Sequence, residues 1–236
     1  MGQIKYVFTD KTGTLTKNQM NFKKIIIDGK AYGNVEDIPL ETIKRKHPHV
    51  QNVSFRDSTF LNTLEDERKQ VALRILYLCH DILIDAKNEG QISYSSSSPD
   101  EIALANFAKL CGKELISDER NIMKVMSHED RKTLKFTKLA LLYFSSDRKR
   151  MSVIVQYPNN QIELLMKGAD SIVEKLLHPN QKHLAQTQKN LDEFSVEGLR
   201  TLLLAKRTIP EEEFRKWNEL YKRAQNSIEN REQNLE

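Results

Sequence analysis

The sequence predicts an α/β fold, an antiparallel sheet carrying helices, and three observations predict it. Segments of strand character follow one another at turn spacing between residues 138 and 166. Two longer segments, residues 70–83 and 99–111, repeat apolar residues at helical spacing. A short apolar run at the start ends on an acid, Asp10, set in a turn of small hydroxylated residues. The 236 residues suffice for one large domain or two small ones with a sizeable core.

Taken in order, Ile4 to Thr9 reads as a short buried strand. Met20 to Ile27 reads as a second strand, and Asp28-Gly29 supplies a tight turn toward Ala31 and Tyr32. Residues 34–69 are charged and irregular, which predicts a long surface connection with helix near Leu61 to Arg68. Val71, Ile75, Leu78 and Ile82 give Gln70 to Leu83 one buried helical stripe. In SPDEIALANFAKLCG, Ser98, Pro99 and Glu101 occupy the N-cap, first and third positions of a capping box. Leu104, Phe107, Ala108 and Cys111 form the apolar face of that helix, and Gly112 suits its stop.

The middle of the chain is β-rich. Lys138 to Phe144, Met151 to Tyr157 and Gln161 to Met166 read as consecutive strands, with Pro158-Asn159-Asn160 as the second turn. Met151, Val153, Val155 and Tyr157 alternate with Ser152 and Gln156, the pattern of a half-buried strand. Helix returns at Ser171 to Leu177 and at Leu184 to Val196, the latter closed by Gly198. Leu199 to Lys206 reads as a further strand. Pro210 starts the last helix, with Glu211, Glu212 and Glu213 in its first turn, where the dipole favours acids. Phe214, Trp217 and Tyr221 give its buried face, and the tail beyond Asn226 is polar.

Composition narrows the function classes. The net charge of +4 is a mild excess, and no basic stripe is interleaved with aromatic residues, so nucleic acid is not the expected partner. The excess does suit an anionic ligand such as a nucleotide. Cys79 and Cys111 are the only cysteines and lie on apolar helical faces, as reduced core thiols of a cytosolic setting do. The histidines, His47 and His49 included, have no zinc spacing. No apolar run approaches a membrane span and no signal peptide is visible, so the chain is expected to stay in water.

A carboxylate at the end of a buried strand sits where α/β sheets place ligands. Aspartate is a usable covalent nucleophile toward phosphorus. Gly13 lets backbone N–H groups approach a phosphate, Thr12 and Thr14 offer hydroxyls, and Lys11 adds positive charge. An isolated Asp-Gly turn is usually only a turn, but DKTGTLT, Asp10 to Thr16, is far more specific. It matches the phosphorylation motif of P-type ATPases. Over nearly its whole length the chain resembles the segment of such an ATPase that runs from the phosphorylation site through the nucleotide-binding domain. SPDEIAL, FSSDRKRMSVIV, MKGADS and GLRTLLLAKR resemble, in order, the type-IV branch, the phospholipid flippases.

The resemblance implies an α/β nucleotide-binding domain, a twisted and mainly antiparallel sheet of about six strands flanked by helices. One strand of a haloacid-dehalogenase-like phosphorylation domain would precede it. The implied boundaries are residues 1–19 for that strand and motif, 20–226 for the nucleotide-binding domain, and 227–236 for a polar tail leading back. The implied cofactors are ATP and Mg2+. Asp10 would take the γ-phosphate, with Lys11 beside it, and Thr12 would contact both phosphate and Mg2+, so Asp10 and Thr12 are the metal candidates. Related phosphatases carry a second Asp where Thr12 stands. Threonine does not activate water at neutral pH, so a phosphoaspartate here is expected to persist.

The resemblance also implies a nucleotide pocket, and each residue in it has an ordinary alternative. Phe144 is either the ring stacked on adenine or a core phenylalanine. Glu101 either meets the adenine amino group or serves the capping box. Lys167 lines the pocket or is solvated, and Gly168 permits a close turn beside it. Arg200 meets the phosphates, which its fork suits, or is a surface arginine at the start of a strand; Thr201 follows it. Arg148 or Arg150 steers phosphate, Lys149 reads as solvated, and Ser145 shapes the pocket. The later TGDGxND segment and downstream lysine of the family do not occur in this sequence. The expectation is therefore a monomeric cytosolic portion of an integral membrane protein that binds ATP but is not itself phosphorylated at a meaningful rate. Phospholipid and any accessory subunit would be engaged through membrane regions. The rival cargo is a cation; SPDE, RKRMSV and KGAD together favour the flippase branch, as does Asp170, where cation pumps more often carry proline.

Overall fold

A computed structural model describes residues 5–11, 13–87 and 91–226. Residues 5–19, Thr12 aside, are exposed, and no strand forms over residues 5–9. Tyr6, Val7 and Phe8 are 79%, 80% and 94% exposed, so the buried strand expected at Ile4 to Thr9 is not present among the described residues. A β-prone run needs a ladder partner to bury its side chains, and none of the described residues pairs with residues 5–9.

Strand β1 (Ile25–Ile27) pairs with β2 (Lys30–Tyr32) through a two-residue turn. Asp28 and Gly29 both take positive φ, 52° and 74°, which fits a tight hairpin turn. The strand expected from Met20 is shorter than that, with Phe22 making only an isolated parallel bridge to Val53. The connection that follows holds two short helices, α1 (Leu40–Lys46) and α2 (Ser58–Leu61). The helix expected near Leu61 to Arg68 gives way to a break, because Asp66 caps the next helix by accepting from Arg68 N at 2.8 Å. That helix, α3 (Glu67–Leu78), starts and ends earlier than the expected Gln70 to Leu83. Leu83 instead opens a hairpin of β3 (Leu83–Lys87) and β4 (Gln91–Ser95) that the sequence reading did not contain.

Helix α4 (Pro99–Leu110) follows, with Ser98 at the N-cap, Pro99 in the first turn and Gly112 at φ 78° just past its end. Phe107 anchors it: its ring stacks on Phe22 at 3.7 Å and meets Phe55 edge-on at 5.0 Å. The chain then meanders through β5 (Lys113–Glu119), β6 (Ile122–Ser127), β7 (Lys132–Leu142), β8 (Arg150–Gln156) and β9 (Ile162–Gly168). A short helix α5 (Asp170–Val173) runs into a 3-10 turn, Glu174–Leu176, in place of a single helix from Ser171 to Leu177. Helix α6 (Leu184–Val196) has the expected bounds. Strand β10 (Leu203–Ile209) begins four residues later than expected, and α7 (Glu211–Asn226) ends the described chain.

The six strands form one antiparallel sheet in the order β10-β9-β8-β7-β6-β5. Alternation along β8 and β9 sends Met151, Val153, Val155 and Leu165 into the main core with Phe107 and the α3 residues Leu73 and Leu76. Ile154 and Ile162 go into a smaller cluster, with Ala140, under Phe214, Trp217 and Tyr221 of α7. Strand β8 is therefore covered on both faces and is not half-buried as its alternation suggested; Ser152 is 1% exposed. Cys79 and Cys111 are free, buried thiols, as expected.

Candidate functional site

Antiparallel pairing decides what meets at one end of this sheet. The carboxyl ends of β7 and β9 and the amino ends of β8 and β10 lie together there. Gly168 is the fulcrum, opposite Arg150 on β8 and Leu203 on β10, with Lys167 opposite Met151. A Cβ on Gly168 would stand 2.6 Å from Arg150 Cβ and 2.7 Å from Lys149 O, so only glycine lets the strands close there. The expected close turn is in fact a close approach inside the sheet. Ala169 N donates to Lys149 O at 2.9 Å and fastens the end of β9 to the β7–β8 loop.

That loop is shaped by two of the predicted residues. Ser145 Oγ accepts from Arg148 N at 3.1 Å, and Lys149 N donates to Ser145 O at 2.8 Å. Arg148 sends Nη1 back to Tyr143 O at 2.8 Å, and Arg150 Nη1 donates to Arg148 O at 3.1 Å. Phe144 lies beyond the end of β7 and is 61% exposed, so it is not a core phenylalanine.

Helix α4 brings its first turn to the same end. The Glu101 carboxylate accepts from Lys167 Nζ at 2.6 Å and from Asp81 N at 3.2 Å. Ser98 makes no side-chain cap hydrogen bond. The expected capping box is therefore not formed: the Glu101 carboxylate is held by Lys167, 3% exposed, and by the Asp81 amide, while Ser98 N donates to Ser96 Oγ at 3.1 Å. Next to it, Asp100 Oδ2 accepts from Arg200 Nη1 at 2.6 Å. Lys167 is thus neither solvated nor unpaired, and Arg200 is an exposed arginine ahead of β10 that ties back to α4. Thr201, half-buried, lines a separate groove with Leu104, Met166 and Leu204.

Three features at this end had no place in the sequence reading: the Asp81 amide on Glu101, Asp100 as the partner of Arg200, and His80. Burial pushes the His80 pKa down to about 4; Asp118 opposes the shift, and Lys167 and Lys138 reinforce it. Burial also pushes the Cys79 thiol up to about 12. The adjacent acids Asp100 and Glu101 were the one legible signal for a pair of cation partners.

Asp10 and Lys11 are exposed on the leading segment, whose turn closes on itself through Leu15 N and Thr16 N donating to Lys11 O at 3.0 and 3.1 Å. Thr12 lies outside the described residues, as does the tail 227–236. Among the described residues no cluster of three or more His, Cys, Asp or Glu side chains is set to hold a metal ion. The described residues do not by themselves make a Mg2+ site. They do fit a nucleotide: an exposed aromatic face, a glycine-backed strand end, and cations held by carboxylates. Among the described residues no helix is long and apolar enough to cross a membrane.

Comparison with known proteins gives the same direction. Residues 69–236 match the family model of the P-type ATPase, cytoplasmic domain N. The chain is 38% identical over 248 residues to the mouse phospholipid-transporting ATPase FetA, covering all of this chain and 21% of that protein. It is 36% identical to phospholipid-transporting ATPase IC of Xenopus tropicalis, covering all of this chain and 19% of that protein. It is also 36% identical to phospholipid-transporting ATPase dnf2 of Schizosaccharomyces pombe, covering all of this chain and 20% of that protein. The chain spans about a fifth of the length of these relatives. With a domain model matching most of its length, the chain belongs to the P-type ATPase family.

Proposed function

We propose that this chain is the ATP-binding cytosolic portion of an ATP-driven, phospholipid-translocating P-type ATPase. Residues 20–226 form the nucleotide-binding domain, residues 1–19 carry the phosphorylation motif, and residues 227–236 lead back toward the phosphorylation domain. The observation that carries the reading is the Glu101–Lys167 pair, 2.6 Å apart and placed at the same sheet end as the exposed Phe144 ring. Adenine stacks on Phe144, and its amino group donates to the Glu101 carboxylate. Lys167 and Gly168 form the pocket wall, the Ser145–Arg148 turn fixes the aromatic ring, and Arg200, with Thr201 behind it, faces the phosphates. Asp10 accepts the γ-phosphate in the complete enzyme, with Lys11 and Thr12 beside it. The Mg2+ that family chemistry calls for needs further ligands besides Asp10 and Thr12.

Relatives named as phospholipid-transporting ATPases support a lipid cargo over the cation-transporting alternative. The lipid and any accessory subunit would be met by membrane regions of the whole protein. ATP binding by this chain alone is expected to be weak, with a Kd of about 0.1–1 mM. The test is an ATP titration of the isotope-labelled chain followed by amide shifts, with Phe144→Ala alongside. Shifts are expected on Glu101, Phe144, Lys167 and Arg200. Because Phe144 is largely exposed, its loss leaves stability within about 0.5 kcal/mol, while affinity falls by about 1–3 kcal/mol, roughly five- to 150-fold. No shifts at several millimolar ATP from a folded chain would sink the reading. Acid-stable labelling of Asp10 from γ-labelled ATP would overturn the inactivity of the chain alone.

A further inference from the structure

A groove opens along the edge of the main sheet. Strand β10 is that edge, paired only with β9. Helix α6 is tied to the first hairpin: Asn190 Nδ2 donates to Gly29 O at 2.8 Å, and Lys24 pairs with Glu197 just past the helix. The hairpin and α6 line one side, and α3, β9 and β10 the other, of a space of about 1260 Å3. That exceeds the roughly 300–1,000 Å3 of most small-molecule sites. Glu67 to Leu76 of α3 and Leu203 to Arg207 of β10 bound it, so it runs for about 13 Å.

Its walls are apolar and only half-buried: Ile27 of β1, Val71 of α3, Leu104 of α4, Met166 of β9, Leu184 of α6 and Leu204 of β10. Apolar surface left facing water forgoes stabilisation in proportion to its area. Six such side chains around one space suit an apolar guest. The charges that line the groove are matched with one exception. Arg68 pairs with Asp28, Glu67 with Arg74, Lys206 with Glu163 and Arg207 with Glu213. Lys182 is exposed, lines the groove, and has no carboxylate partner among the described residues. Glu101, Phe144, Lys167 and Arg200 do not line it, although Met166 and Thr201, which do, adjoin Lys167 and Arg200 in the chain.

We infer that this groove is a second ligand site, for a long-chain fatty-acid anion whose alkyl chain lies along the apolar walls and whose carboxylate meets Lys182. A single unmatched cation beside apolar walls selects a monoanion with an apolar body; it repels a cationic amphiphile. The inference does not rest on the nucleotide reading and stands or falls without it.

The probe is laurate, kept below its micelle concentration and titrated into the full chain labelled at leucine and methionine methyls. The expected result is a shift of the Met166, Leu184 and Leu204 methyls and a rise in melting temperature. Octanoate, four methylenes shorter, should bind on the order of 100-fold more weakly. Dodecyltrimethylammonium, a cation with a chain of similar length, should not shift these methyls at the same concentration. Lys182 is exposed and unpaired, so Lys182→Glu should leave the melting temperature of the free chain unchanged while weakening laurate about tenfold. Ala205→Phe, which sets a ring into the groove from β10, should block laurate. The inference is overturned if millimolar laurate leaves the three methyls unmoved in the folded chain. Equal binding of laurate and dodecyltrimethylammonium, equal binding of laurate and octanoate, shifts confined to Phe144 and Glu101, or wild-type affinity in Lys182→Glu would overturn it as well.

Discussion

The Glu101–Lys167 pair invites a double-mutant cycle, because its two members are buried unequally. Lys167 is 3% exposed at the side chain and Glu101 13%. Glu101→Ala leaves an ammonium inside the protein with no carboxylate, and also strips the Asp81 amide of its acceptor. Breaking a buried pair in this way costs about 3–5 kcal/mol. Lys167→Met removes the charge, keeps the length of the side chain and leaves Glu101 still accepting from Asp81 N, for a cost of about 1–2 kcal/mol. In the double variant the stranded charge is gone, so the total should fall at least about 2 kcal/mol short of the sum. Equilibrium urea unfolding with a common m-value reads all four corners of the cycle. Additivity within about 0.5 kcal/mol would refute the argument, since it would mean that Lys167 finds solvent or another acceptor when Glu101 is removed.

Two further outcomes are expected. Gly168→Ala should destabilise the fold by about 1–3 kcal/mol through overpacking, because its Cβ meets Arg150 Cβ at 2.6 Å and Lys149 O at 2.7 Å, and a thermal melt reads the loss. The buried His80 makes stability acid-sensitive: its folded pKa, about 4, lies below the ordinary 6.5, so the unfolded chain binds the extra proton first. Its contribution is full above the ordinary value and disappears as pH falls toward the folded one, by roughly 3 kcal/mol, and His80→Asn should flatten that part of the pH–stability curve.

Much of this site was legible because its residues sit in contiguous motifs. FSSDRKRMSVIV and MKGADS put Arg148 in a hairpin turn and Lys167 and Gly168 at a strand end, as found, and the Pro158-Asn159-Asn160 turn made β8 and β9 consecutive; Phe144, read as the end of a strand, lies two residues beyond β7. What escaped depends on partners far along the chain. Glu101 occupies a capping position by local rules, yet it is claimed by Lys167, 66 residues away. Residues 83–85 and 91–95 of the β3–β4 hairpin are half-buried to exposed, so neither strand advertises itself. Partners outside the hairpin hold β4: Tyr94 Oη donates to Leu115 O at 3.0 Å, and Lys109 Nζ donates to Ile92 O at 2.7 Å. The leading segment erred the other way: YVF has the composition of a buried strand, but composition cannot supply the neighbouring strand that burial requires.

The two ion pairs at the sheet end also differ in how readily they give way to a ligand. Arg200 is 60% exposed at the side chain, and its bond to Asp100, 22% exposed, is a surface pair worth about 0–1 kcal/mol. Lys167 cannot leave Glu101 on such terms. A nucleotide entering this end would therefore meet the Glu101–Lys167 pair in place and draw Arg200 off Asp100 to its phosphates. Asp100 then acts as a weak competitor for the arginine, and its carboxylate also repels the incoming anion. Asp100→Asn should tighten ATP binding by about two- to fivefold, at most about 1 kcal/mol, with the gain shrinking as salt is raised. Arg200→Ala in the same background should erase it. Calorimetric titration of ATP into the three chains decides the matter: weaker binding by Asp100→Asn would mean that Asp100 holds Arg200 in its working position instead of withholding it.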